Sequence, residues 1–258
     1  MTLLLKLVLA PLLVVGSSLA GRRWGPGVTG LLVALPVVAG PILFITYLEQ
    51  GAAFAARAAS ASLLGLVSLA VFTVVFARVS AARGLTLTIL TGWAACLAVD
   101  LALSFVPVPA WVALGLAVLT AWGAAKAMPR ARGEARPVAL PWWDLLARAA
   151  ATAALVLALT AAAGRLGPEI TGVLAPFPIG TTVVAGFALA QGGPAAAVAT
   201  TRGVLRGLGG FAAFCFLAAE LAEPLGGYVF LAAVAGVFVV QAGISVCGRR
   251  WFGVPDAG

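Results

Sequence analysis

Four charged side chains stand inside long apolar runs: Arg57, Asp100, Arg202 and Arg206. An ion is costly in hydrocarbon, so each needs a partner, a cavity or water, and each marks a candidate site. Arg202 and Arg206 are four apart and share one helix face. Counted from Pro194 at 1.5 Å per residue, they lie about 12 and 18 Å along the helix, within the apolar layer. Glu220 is about 21 Å beyond Arg206, too far to neutralise it. Two such guanidinium groups suit an anion, and their planar forks favour an oxyanion. Thr181 and Thr182 follow Pro178 and Gly180, which can end one helix and start another whose amino end faces the same ligand. Gln241 and Ser245, returning from a turn near residue 223, reach the same level and offer hydrogen bonds without charge. The alternative is structural: the arginines bond carbonyls freed at Pro176 and Pro178, or extend to the cytoplasmic surface. Gly203 and Gly207, beside them, have the GxxxG spacing that permits close helix packing.

Arg57 and Asp100 lie at equal depth if their segments form a hairpin turning near residue 80, and this predicts a structural ion pair. Other chemistry is poorly provided for. The chain has no histidine, and Cys96, Cys215 and Cys247 lie in apolar stretches without CxxC spacing. Neither a zinc site nor a disulfide framework is expected. Without HExxH, paired intramembrane carboxylates or a nucleotide loop, no enzyme, cofactor or metal is expected.

These residues are carried by a chain that is 63% hydrophobic and 9% charged over 258 residues. A bilayer is the natural solvent for that composition. A span needs about 20 apolar residues. Nine candidates follow: 2 to 20, 26 to 47, 52 to 77, 84 to 105, 109 to 127, 144 to 163, 168 to 190, 195 to 222 and 225 to 247. Only Met128 to Pro141 reads as a polar linker. The net charge of +8 comes largely from short loops, as membrane orientation requires, so no nucleic-acid partner is expected. Lys6 and Ser18-Leu19-Ala20 imitate a signal peptide, but the repeat described next assigns this segment to a membrane helix.

Gly25-Pro26-Gly27-Val28-Thr29-Gly30 aligns without gaps on Gly167-Pro168-Glu169-Ile170-Thr171-Gly172, at a shift of 142 residues. Onward, Gly51 falls on Gly193, Leu63 on Leu205, Gly65 on Gly207 and Phe72 on Phe214. Spans one to four thus recur as six to nine, and the fifth has no partner. One extra crossing makes the second copy enter from the opposite face. The expected fold is an all-α integral membrane protein of two inverted four-helix repeats joined by a linker helix. Its units are 1-105, 106-141 (linker helix and loop) and 142-258.

Charge orients it. Loops after the odd-numbered spans, with the tail, hold ten basic residues: Arg22, Arg23, Arg78, Arg83, Lys126, Arg130, Arg132, Arg136, Arg249 and Arg250. The other side holds Lys6, Arg57 and Arg165. The amino terminus is therefore expected outside and the carboxy terminus in the cytoplasm, with Trp142, Trp143 and Trp251 as interfacial anchors. Span two carries Pro36 and Gly40-Pro41 near its centre, and span seven carries Pro176, Pro178 and Gly180 at matching depth. These are packed kinks or discontinuities that line a substrate path.

Gly30 to Gln50, with its central proline and Tyr47-Leu48-Glu49-Gln50 ending, resembles the corresponding stretch of small four-helix bacterial membrane proteins of the GlpM type. The resemblance implies a duplicated and fused pair of such units in a bacterial inner membrane. The four-plus-one-plus-four layout is also similar to fused, double-barrelled fluoride channels, without a motif of that family. The function expected from inversion, central breaks and buried arginines is a transporter or facilitator of a small, anionic solute, with its site near the midplane at the repeat interface. A passive channel and a non-transporting membrane assembly protein are the alternatives. Lipids and the solute are the expected partners, and a homodimer is compatible.

The topology predicts that single cysteines at Gly133 and Gly192 react with an impermeant maleimide only from the cytoplasm, and one at Gly164 only from outside. Labelling of Gly133 and Gly164 from one side would rule out inversion.

Overall fold

The computed structural model describes residues 2–105, 108–130, 141–166 and 177–251. Expectations resting on Pro107, on Gly167 to Pro176, on residues 131–140 with Gly133, and on the tail after Trp251 lie outside the described residues. The described chain is helical: α1 Thr2–Trp24, α2 Pro26–Val33, α3 Ala39–Gln50, α4 Ala52–Val79, α5 Leu85–Ser104, α6 Ala110–Ala127, α7 Asp144–Leu166, α8 Ile179–Leu225 and α9 Val229–Trp251. A short 3-10 turn, Gly226–Tyr228, joins the last two.

Five stretches are long and apolar enough to cross a membrane: Ala52–Val79, Leu85–Ser104, Ala110–Ala127, Asp144–Ala161 and Ile179–Val246. The last is 68 residues, against about 20 for one crossing, and it contains both a break at Gly193 and the turn at Gly226. Large apolar side chains also cover the outside, including Leu12, Trp111, Trp122, Leu231 and Phe238. In water so wide an apolar surface would aggregate; in lipid it is solvated. The turn expected at Glu223-Pro224 falls slightly later. Pro224 is tolerated in the last turn of α8, and Gly226, at φ 56, makes the reversal that a Cβ would oppose.

Both breaks follow from local chemistry. Pro36 has no amide to give to the carbonyl four residues back. α2 therefore stops at Val33, the Val37 amide turns back to the Leu35 carbonyl at 2.8 Å, and the Gly40 amide reaches the Pro36 carbonyl at 2.8 Å. The same two bonds recur 142 residues later: Ile179 to Phe177 at 2.8 Å, and Thr182 to Pro178 at 2.8 Å. Gly51 (φ 84, ψ 174) and Gly193 (φ 75, ψ −171) share a left-handed conformation at the same offset.

α2 lies directly on α8, backbone against backbone. A Cβ on Gly30 would strike the Thr200 carbonyl, and one on Gly203 the Gly27 carbonyl. A Cβ on Gly207 would come within 2.7 Å of the Leu31 carbonyl. Gly203 and Gly207 thus form a small-residue seam with α2. α8 also packs on α4, and α1 packs on α7. Phe72, Phe76 and Phe214 are fully buried in the core between them.

Gly203→Leu or Gly30→Leu should lower thermal stability in detergent by more than the ~1–3 kcal/mol of ordinary overpacking, because backbone must move. Gly115→Leu and Gly243→Leu, where a Cβ meets nothing within 4 Å, should melt like the parent.

Candidate functional site

The two breaks meet. Gly180 packs on α2, where a Cβ would stand 3.0 Å from Val33 Cγ2 and 3.7 Å from Val14 Cγ2. Phe177 and Pro178 are buried beside it. Trp93 of α5 closes one flank, edge-on to Phe177 with ring centroids 5.2 Å apart, and its indole N–H donates to Thr182 Oγ1 at 3.0 Å. Thr181 and Thr182 are both buried.

The arginines do not join this junction. Arg202 donates from Nη2 to the Pro129 carbonyl at 2.7 Å, tying α8 to the chain just past α6. Arg206 is exposed, and it is its backbone carbonyl that receives the Gln241 amide, at 3.2 Å. The expected convergence of Arg202, Arg206, Thr181, Thr182 and Gln241 on an anion is thus corrected. Arg202 is only two turns from Pro194, and its long stem reaches the Pro129 carbonyl, a structural role with a carbonyl other than those expected at Pro176 and Pro178. Pro36 and Gln241 do share a cavity of about 850 Å³, but with Leu35, Gly40, Phe44, Phe214 and Phe230 its lining is apolar.

The ion pair between Arg57 and Asp100 is also absent. Arg57 is exposed, its guanidinium 5.7 Å from the Phe54 ring centre. Asp100 is buried and accepts the Cys96 thiol at 3.6 Å, with Ser68 alongside. Equal depth along a hairpin does not fix which way each helix face turns.

A different ionic cluster sits at the end of the broken span. Asp144, fully buried at the start of α7, accepts from Arg148 Nε at 3.0 Å, Gln191 Nε2 at 2.6 Å and Arg22 Nη2 at 3.1 Å. Arg148 Nη2 donates to Gln191 Oε1 at 2.9 Å, and its guanidinium lies 4.7 Å from the centre of the Phe187 ring. The carboxylate is at a helix amino end and Arg22 at the carboxy end of α1, so both macrodipoles favour the arrangement. Gln191 lies just before the Gly193 break, so the cluster ties α1, α7 and α8 at one point.

No family model, curated protein or solved structure matches this chain. Function must be argued from the residues themselves. Sequence reasoning had named Arg202 and Arg206 but passed over Arg148. The available signal was an Asp-to-Arg spacing of four inside an apolar run, which places both on one helix face.

Asp144→Ala leaves Arg148 buried without its counter-charge and should destabilise the protein by about 3–5 kcal/mol. The Asp144→Ala/Arg148→Ala double variant should recover part of that loss, and Arg57→Ala should melt with the parent. A thermal series in one detergent checks all three.

Proposed function

We propose that the chain is a multi-pass transporter or facilitator of the cytoplasmic membrane, built from two inverted four-helix repeats, residues 1-105 and 142-258, around the linker 106-141. Several observations support the duplication. The paired break hydrogen bonds and the matching conformations of Gly51 and Gly193 keep one register. Helices equivalent in that register touch: α1 with α7, and α4 with α8. The end of α1 meets the start of α7 through Arg22 and Asp144, so the two run antiparallel, as a two-fold axis in the membrane plane requires.

The orientation has the same support. Residues assigned to the cytoplasmic face come together: Arg22 with Asp144 and Gln191, Arg78 with the Ala127 carbonyl at 3.0 Å, and Arg202 with the Pro129 carbonyl. At the other face Tyr47, ending span two, lies against Gly226, ending span eight.

The observation that carries the transport reading is the contact of the two breaks, Gly180 against Val33. Broken helices meeting at a repeat interface release backbone amides and carbonyls to a small solute, and rocking of one repeat on the other exposes that point alternately to each face. Recognition there rests on backbone polarity and not on arginine. The Asp144 cluster holds the cytoplasmic side closed. Lys6 and Glu49 occupy the positions equivalent to Arg148 and Gln191, and they close the opposite face in the alternate state.

Reconstituted protein, assayed against a panel of labelled solutes with and without a pH gradient, should give saturable uptake above protein-free liposomes. The Pro36→Ala/Pro178→Ala variant, which restores amide donors at both breaks, should slow it about tenfold or more, a barrier increase of ~1.4 kcal/mol. Unitary currents at channel rates would replace the carrier with a pore. No uptake of any solute would remove the transport reading.

A further inference from the structure

Asp100 is a carboxyl inside an apolar span that takes no part in the breaks or in the Asp144 cluster. It stands near the end of α5, 7% exposed, and its polar neighbours are neutral. Cys96, one turn earlier and fully buried, donates its thiol to Asp100 Oδ2 at 3.6 Å. Ser68 of α4, also fully buried, lies alongside. The 142-residue register replaces all three in the second half, Ser68 by Gly210, Cys96 by Phe238 and Asp100 by Ala242. The polar set is present or absent as a unit.

Charge that could offset an ionised Asp100 lies elsewhere. α5 carries no other charged residue. On α4, Arg57 is exposed on Phe54, about 16 Å along the helix from Ser68, and Arg78 is at the opposite end, bonded to the Ala127 carbonyl. On α8, which also packs on α5, Arg202 bonds the Pro129 carbonyl and Arg206 is exposed, while Glu220 and Glu223 are acidic. Among the described residues, both salt bridges belong to Asp144. A lone carboxylate in an apolar layer is far costlier than the neutral acid, so the group is stable there with its proton on. A hard cation is a poor occupant instead. It takes about six oxygen ligands, and this site offers one carboxyl and one hydroxyl on unbroken helices whose carbonyls are already bonded.

Thr88, Gly92, Cys96 and Asp100 form the buried stripe of α5. A Cβ on Gly92 would stand 2.9 Å from the Phe72 ring, so this stripe is pressed against α4. Trp93 adjoins it, about 10 Å along the helix from Asp100, and donates to Thr182 at the span-seven break. Water reaches the carboxyl only if this part of α5 lifts, and lifting it breaks the bond from Trp93 to Thr182.

We propose that Asp100 is a proton-binding site, which holds a proton while α5 is seated on α4 and on the span-seven break, and releases it to water when Trp93 leaves Thr182. In the release step the carboxyl O–H bond breaks, the proton passes to water and the electron pair stays on the carboxylate. The opening rests on the carrier reading proposed above, but the test follows proton binding and not solute flux, so the two can fail separately.

The probe is the proton itself, followed by pH-difference infrared spectroscopy on the full chain in phosphatidylcholine proteoliposomes. Near neutral pH the spectrum should contain the C=O band of a carboxylic acid that is absent from Asp100→Asn, shifts in deuterium oxide and disappears at alkaline pH. Thr182→Val, which removes the acceptor for Trp93, should make the band disappear about one pH unit lower, an about tenfold weaker hold on the proton. Thr91→Val, whose hydroxyl bonds only to its own helix, should leave the transition in place. If Asp100→Asn does not fold, Cys96→Ala, which removes the thiol donor, should move the same band to higher frequency. Absence of an acid band near neutral pH overturns the site, because the carboxylate is then ionised. A band that never titrates in folded protein overturns it in favour of a permanently neutral, structural acid, and one lost on adding sodium at constant pH overturns it in favour of a cation site. An unchanged transition in Thr182→Val overturns the link to the break.

Discussion

A peptide group inside a bilayer has no water to bond, so any interruption of a spanning helix must be buried in protein or line a cavity. Here the interruption at Pro36 is placed against α8, which lies so close to α2 that only glycine fits at Gly30, Gly203 and Gly207. Much of the remaining architecture depends on this close approach. It brings the end of α2 under Gly180, sets α4 and α9 on the other faces of α8, and makes the long, small-residue-rich α8 the common support of both halves. Gly193 then lets the chain change direction between the arm that meets α2 and Trp93 and the arm that carries the seam.

Electrostatics closes what packing aligns. A buried ion pair of this kind seldom adds net stability over an apolar one, because desolvation offsets much of the attraction. It is directional, however. Asp144 can satisfy Arg22, Arg148 and Gln191 only when α1, α7 and the end of the first α8 arm are in one arrangement. That is the property which the carrier proposed above requires of a latch at one face. Two of its members sit at helix ends, where the dipoles assist. Gln191, its third contact, sits next to the glycine that permits bending.

Much of the fold was legible in the sequence because the signals were of the kind apolar chains retain. The positions of Pro36, Pro178, Gly51 and Gly193 foretold where helices would be interrupted, since a missing amide and a left-handed turn are local properties. The GxxxG at Gly203 marked a real close packing. The candidate site was read less well. Arg202 and Arg206 were judged by depth and shared face, but an arginine stem spans more than one turn. The Pro129 carbonyl that Arg202 uses belongs to a segment 73 residues away, which no spacing rule connects to it. Arg57 and Asp100 failed similarly, since depth leaves the facing direction free. The Asp144 cluster draws on three segments of the chain, and only its i to i+4 pair was visible beforehand.

The meeting of the two breaks is the relation from which the rest follows, and a disulfide reports it directly. Val33→Cys/Gly180→Cys, in a background with the native cysteines replaced, puts the two thiols across the contact in which a Cβ on Gly180 stands 3.0 Å from Val33 Cγ2, and a disulfide needs the two Cβ atoms about 3.5–4.5 Å apart. Mild oxidation in native membranes should give an intramolecular bond in nearly every molecule, reversed by reductant, while Val33→Cys/Gly115→Cys gives none. If Val33→Cys/Gly180→Cys stays reduced in folded protein, the breaks do not meet, and the repeat interface proposed above is wrong.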